Sequence, residues 1–253
     1  MSSFCPERAK SAIITEIKEA HGGTLPLHRR KNEDIKMPQT IENDHKAAAV
    51  KNKKPTSIYL MRHARPELPF GGRVYYGGTD YPLSEEGRAA ASAVGRALVG
   101  KTDFDLIASS DMIRARETAR LAVAEPSVII PELREVFLGS WEGRSYDEVR
   151  SEFEELYEKR GKCFADTAPP GGESFRELQQ RTVPAFDRLV SENEGKNILL
   201  VSHGGAIWSI IAAKLGLDLN DMFLFPQDCC GIHLLQTSGD RYRTLKLNWS
   251  PAL

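Results

Sequence analysis

From residue 57 onward the chain alternates between two hydrophobic rhythms. Short runs rich in apolar residues recur at SIYLM (57–61), FDLIASS (104–110), PSVII (126–130) and NILLVS (197–202). Their length and their turn-forming flanks predict buried strands. Between them, apolar residues return every three to four positions at Ser84–Val99, Asp111–Ala124, Ser145–Arg160 and Ser174–Asn193, which predicts four helices. Ser145 with Glu148 and Ser174 with Glu177 have the spacing of a capping box and mark two of the helix starts. Strands alternating with helices of this length imply a parallel sheet covered on both faces. The segment CCGIHLLQTSGDRYRTLKLNW departs from that rhythm and predicts two strands joined at Ser238-Gly239-Asp240. The expected fold over residues 57–253 is therefore α/β, in three layers, with a mainly parallel central sheet.

Residues 1–56 follow neither rhythm. Only RAKSAIITEIKEA has helical periodicity, through Ala9, Ile13, Ile14 and Ile17, and residues 21–54 are polar with almost no large apolar side chain. Such a segment buries too little surface to offset its ordering entropy. It is expected to be a flexible extension with at most one short helix, whose protein partner is unknown. It holds 11 basic and 7 acidic residues, whereas residues 57–253 hold 23 and 28.

Across the whole chain the net charge is −1 with 41% apolar residues, so neither a nucleic acid nor a membrane surface is indicated as a partner. No apolar run approaches the roughly 20 residues needed to span a bilayer. MSSFCPERAK lacks the apolar centre of a secretory signal, and a cytoplasmic location is expected. Cys5, Cys163, Cys229 and Cys230 show no metal-ligand spacing, and Cys229-Cys230 reads as a pair of buried free thiols in an apolar stretch.

Candidate chemistry gathers where strands end. SIYLMRHARPE delivers Arg62 and His63 as the first run closes, and FDLIASSDMIRARETA delivers Arg114 early in the helix after the second. NILLVSHGG closes on Ser202, His203, Gly204 and Gly205 before a helix begins. In folds of this class ligands bind beyond the carboxyl ends of the strands. Glycines at a helix start let an anion reach backbone N–H groups, and the planar guanidinium fork suits phosphate. One rim carrying Arg62, His63, Arg114 and His203 is thus a phosphate site. The chain has no G-x-G-x-x-G turn and no G-x-S-x-G elbow. No His/Asp/Glu cluster has metal spacing. With no metal and no Ser or Cys nucleophile in view, an imidazole is the natural phosphoryl acceptor.

Residues 57–250 resemble the histidine phosphatase superfamily, which includes cofactor-dependent phosphoglycerate mutases and small phosphomonoesterases. The carriers are LMRHARPE, YGGTDYPLSEEGRAAA, SSDMIRARETA, LREVFLGSWEG, PGGESF and LLVSHGG, in that order. The resemblance implies a phosphoglycerate mutase-like fold and a phosphoric monoester hydrolase with no metal or other cofactor. His63 would be the phosphorylated nucleophile and Glu135 the general acid. Arg62, Arg114, His203 and Gly204 would hold the phosphoryl oxygens. GGRVYYGGTDYPLSEEG with PGGES is most similar to the branch of α-ribazole-5′-phosphate and broad-specificity phosphatases. That makes Tyr76, Gly77 and Glu173 candidate substrate contacts, with Tyr75 and Arg73 beside them, and a small phosphorylated metabolite the expected partner. A mutase-type phosphotransferase is the nearest alternative.

Other residues have plainer readings. Glu132 and Glu142 compete with Glu135 as solvated carboxylates, and Arg116 and Arg120 read as surface or ion-paired. Asp80 is expected to organise its loop and a helix start, and His233 to be a structural histidine. Trp141 reads equally as core or pocket wall. His21, His28 and His45 belong to the polar extension. One departure stands out: Ala64 follows His63 where the family has glycine. A β-carbon disfavours positive φ. If that conformation is required, the site would be weakened, leaving a phospholigand-binding module as a second alternative.

Overall fold

The computed structural model describes residues 54–251 except Phe70, Gly72, Phe225 and Asp240. The extension and helix expected within residues 1–53 lie outside the described residues. In chain order the elements are β1 (Thr56–Arg62), α1 (Glu85–Leu98), β2 (Leu106–Ser109), α2 (Ile113–Ala122) and β3 (Val128–Ile129). There follow α3 (Tyr146–Glu152), α4 (Glu154–Lys162), α5 (Phe175–Ser191), β4 (Asn197–Ser202), α6 (Gly204–Leu215), β5 (Ile232–Ser238) and β6 (Arg241–Trp249).

The strands form one sheet in the order β3-β2-β4-β1-β5-β6. Pairs β2–β3, β2–β4 and β1–β4 are parallel, and the final hairpin adds β5 and β6 antiparallel. Alternation along the central strands explains the layering. Ile58, Leu60, Ile198 and Leu200 face α5 and α6 through Phe186, Leu189, Ile207 and Ile211. Met61, Leu199 and Val201 face α1 and α2 through Ala91, Val94, Leu98, Ala115 and Ala119. A Leu or Ile buried this fully contributes about 1.5–3 kcal/mol. Both faces of β1 and β4 are therefore anchored, and their carboxyl ends are fixed to the tolerances of a packed core.

Both expected capping boxes are present, at Ser145/Glu148 and Ser174/Glu177. The helix expected over Ser145–Arg160 is instead two, broken at Phe153 with φ −120° and ψ 38°. The break lets the Phe153 ring lie 6.2 Å from the Trp141 ring and under the Arg144 guanidinium. Trp141 is core, fully buried among Tyr75, Phe153 and Tyr157. His233 is likewise structural, buried in β5 with its Nδ1 accepting from the Asn248 N–H.

Candidate active site

Parallel pairing of β1 with β4 sets Arg62 opposite Ser202, so the two strands end level. The His63 N–H donates to the Ser202 carbonyl at 2.9 Å. His63 and His203 consequently leave the sheet side by side, with ring centroids 5.1 Å apart. His63 is 2% exposed and His203 fully buried. The His63 Nδ1 lies 2.7 Å from the Ala64 carbonyl oxygen, which can only accept. Nδ1 therefore carries the proton, and Nε2 keeps its lone pair. Burial, with the charges of Arg114 and Arg62, holds the His63 pKa well below its ordinary value, so the ring is neutral at pH 7. Burial likewise depresses His203, aided by His63 and the two guanidinium groups. Ser110, at the end of β2, bonds the His203 Nε2 at 2.7 Å and fixes that ring.

Two arginines flank the imidazoles. Arg114 is fully buried in the first turn of α2 and donates to the carbonyls of Thr79 and Gly77, each at 2.8 Å. Its guanidinium lies 5.6 Å from the Tyr76 ring centre. Burial lowers its pKa, although Glu135, Tyr76, Asp80 and Glu142 oppose the shift. Arg62 donates to the Gln227 carbonyl and is hydrogen-bonded to Tyr76. Burial works to lower the Arg62 pKa too, but Cys229, Tyr76 and Glu135 outweigh it and leave it raised. Arg62 Nε, Arg114 Nε and His203 Nδ1 are buried without a protein hydrogen-bond partner. Such groups are costly unless an anion compensates them.

The loop presenting Gly77 and Thr79 is organised by Glu142. Its carboxylate accepts from the N–H groups of Gly77, Gly78, Thr79 and Leu138 and from the Thr79 hydroxyl, at 2.7–3.2 Å. Partial burial opposes its ionisation, yet these bonds prevail and its pKa is lowered. A β-carbon on Gly77 would sit 1.8 Å from the Val136 carbonyl oxygen, so only glycine fits that crossing. Asp80 meets its expectation from the other side, accepting from the Ile113 N–H that opens α2.

Glu135 lies across this cluster, accepting from the Gly205 N–H at 3.0 Å and the Val136 N–H at 2.9 Å. Gly204 is as close to it as to Arg62: an added β-carbon would lie 3.6 Å from Arg62 Nε and 3.9 Å from Glu135 Oε2. Arg181 of α5 clamps the segment that carries Glu135. It donates to the carbonyls of Glu132, Arg134 and Glu135 and pairs with Glu173. Glu173 also accepts from the Phe137 N–H. Glu135, Glu173 and Arg181 share the wall of a cavity of about 370 Å³.

The structure thus brings together Arg62, His63, Tyr76, Gly77, Arg114, Glu135, His203 and Gly204, with Glu173 at the adjoining cavity. Tyr75 turns instead into the core against Trp141 and Tyr146, and Arg73 is exposed. Arg116 pairs with Glu125 on the surface. Ala64 corrects an expectation. It is not among the described non-glycine residues with positive φ, which are Cys230 and Asn248. Its methyl packs in the cluster with Met61 and Leu83, and its N–H donates to the Thr118 hydroxyl at 2.9 Å. The alanine is accommodated without strain. Sequence reasoning missed Ser110, Glu142, Arg181 and Thr118 as organisers. The only available signal was that Ser110 and Thr118 fall inside SSDMIRARETA and Glu142 inside LREVFLGSWEG.

Among the described residues no group of three or more His, Cys, Asp or Glu could hold a metal ion, and no helix is long and apolar enough to cross a membrane. The sequence profile of the histidine phosphatase superfamily (branch 1) matches residues 58–250. Adenosylcobalamin/alpha-ribazole phosphatase of Escherichia coli is 33% identical over 174 residues, 68% of this chain and 85% of the relative. Metal-independent phosphoserine phosphatase of Arabidopsis thaliana is 33% identical over 162 residues, 61% of this chain and 67% of the relative. The crystal structure of alpha-ribazole phosphatase from Shigella flexneri superposes with a TM-score of 0.70 at 30% identity, covering 77% of this chain and 96% of that one.

Proposed function

The chain belongs to the histidine phosphatase superfamily and is a phosphoric monoester hydrolase, and on that footing we propose that it cleaves small phosphorylated metabolites through a phosphohistidine at His63. The observation that carries the reading is the Nδ1–H of His63 held by the Ala64 carbonyl, which leaves Nε2 unprotonated between two guanidinium groups. Nε2 attacks phosphorus while the bond from phosphorus to the alcohol oxygen breaks. Charge spreads over the equatorial oxygens, where Arg62, Arg114, His203 and the Gly204 end of α6 stabilise it. Glu135 gives its proton to the departing oxygen. Water then attacks the phosphohistidine, Glu135 takes a proton from it, and the P–N bond breaks to free inorganic phosphate. The Ala64 carbonyl supports the Nδ1–H while the phosphorylated ring carries positive charge.

The relatives named for α-ribazole phosphate and for phosphoserine support small esters as the substrate class. Rapid mixing with a labelled phosphomonoester tests the mechanism. An acid-labile, base-stable phosphoenzyme is expected within one turnover, unaffected by EDTA and absent from His63→Ala. Turnover surviving in His63→Ala, or requiring added metal, refutes it.

A further inference from the structure

If Glu135 protonates the leaving oxygen, the rest of the leaving alcohol lies in the free space that Glu135 borders. That space is the cavity of about 370 Å³. It falls near the lower end of the roughly 300–1,000 Å³ typical of small-molecule sites. Its most conspicuous feature is Phe137, two residues after Glu135, whose side chain belongs to a residue 48% exposed. This ring is not a loose surface aromatic. The Phe137 N–H donates to Glu173 Oε1 at 2.9 Å, and its carbonyl accepts from the Glu173 N–H at 2.8 Å. A β-carbon on Gly78 would come within 2.5 Å of the ring edge, so the ring lies directly against bare backbone. Pro131 adds a second apolar surface.

The two cations of the wall are already paired. Arg134 makes a two-pronged pair with Asp111, and Arg181 does the same with Glu173. Each guanidinium already faces a carboxylate of its own, so a second anionic group of the substrate would meet a neutralised pair rather than a free cation. Resting on the hydrolase reading above, we propose that the leaving group is an uncharged alcohol bearing a planar ring, which stacks on Phe137. Phe137 is then a specificity residue, selecting such esters over those of carboxylate-bearing alcohols.

The test uses the full chain and four probes: 2-phenylethyl phosphate, ethyl phosphate, 3-phosphoglycerate and p-nitrophenyl phosphate. The two alkyl esters have alkoxides of similar basicity and differ in the ring. We expect kcat/KM for 2-phenylethyl phosphate to exceed that for ethyl phosphate at least about tenfold, the scale of one aromatic contact plus its buried area. 3-Phosphoglycerate should fall at or below ethyl phosphate. In Phe137→Ala the ratio of the two alkyl esters should drop to within about twofold of unity, and Phe137→Tyr should restore it. Gly78→Ala, which pushes the ring aside without removing it, should also lower the ratio. A ratio near one in the unaltered protein, an unchanged ratio in Phe137→Ala, or preference for 3-phosphoglycerate overturns the assignment of the cavity. Phosphate release from p-nitrophenyl phosphate alongside such a result would leave the hydrolase reading standing, whereas no release from any ester would remove both.

Discussion

Gly205→Ala probes proton donation while leaving Glu135 chemically intact. The added methyl would lie 2.4 Å from Glu135 Oε1, 2.8 Å from Phe175 Cε1 and 3.2 Å from Leu178 Cδ2. The carboxylate is the softest of these neighbours, since the other two belong to the packed core. It must retreat by about 1.0 Å to reach ordinary contact at 3.4 Å, and doing so strains its 3.0 Å bond to the residue 205 N–H. Overpacking costs about 1–3 kcal/mol, and alanine in a helix returns up to about 1 kcal/mol over glycine. The net destabilisation is roughly 0–3 kcal/mol, or at most about 12 °C in Tm for a domain of this size. The fold should therefore survive. A displacement of about 1 Å in a catalytic group can cost about 10²-fold in rate. For ethyl phosphate, whose leaving group needs a proton, kcat should fall about 10²-fold. For p-nitrophenyl phosphate, whose leaving group departs without one, the loss should stay below about fivefold. Steady-state kinetics on both esters, with Tm measured alongside, makes the comparison. Equal losses on the two substrates, or an unchanged kcat for ethyl phosphate, would refute the placement of Glu135 as the acid.

Two further outcomes follow from the supporting shell. Glu142→Gln turns amide hydrogens toward the N–H groups of Gly77, Gly78 and Thr79, loosening the carbonyls that hold Arg114; kcat/KM should fall about 10–100-fold on every ester. Because the Glu142 pKa is depressed on folding, its stabilisation is present above the ordinary carboxylate range and lost as pH falls through its folded value. The Tm values of the variant and the unaltered protein should therefore converge in acid, and a constant gap would contradict the role. Burial places His63 and His203 well below their ordinary pKa and His233 at about 4. Below about pH 6.5 the unfolded chain binds protons that the fold refuses, so stability should fall with acidification from there and stay flat on this account above it. His233→Asn should reduce that slope by one proton in denaturant titrations; an unaltered slope would show that His233 is protonated in the fold.

Much of the fold was legible because its signals are local. Apolar runs, helical periodicity and the Ser145 and Ser174 boxes each occupy a few consecutive residues, and the structure places a strand or helix at each, although the run at 126–130 is a strand only over Val128–Ile129. The converging rim was legible for a related reason: parallel strands end on one side, so Arg62, His63 and His203 had to meet. The break at Phe153 was not legible, since its cause is Trp141, a ring outside the helix. Glu142 looks like Glu132 because all its donors but the Leu138 N–H lie more than 60 residues upstream. Arg181 sits in an amphipathic helix like any surface cation, and only the path of residues 132–135 beneath it reveals the clamp. The effect of Ala64 was left open because whether a methyl is tolerated depends on φ and on where the core lies, and neither is written in the triplet Arg-His-Ala.

The strand order also sets a timetable. β1 is the first strand of this sheet to be made, but both of its neighbours come late: β4 begins at Asn197 and β5 at Ile232. About 170 residues separate the end of β1 from the start of β5, and at roughly 5–20 residues per second their synthesis takes on the order of ten to thirty seconds. Until β4 is made Ile58, Leu60 and Met61 have no strand to pair with, and through the whole interval the Gly231 carbonyl that accepts the Arg62 N–H does not yet exist. The phosphate site is therefore completed only once the chain has been made through Gly231, and a nascent chain halted before β5 carries its nucleophile on a strand with one apolar edge unpaired.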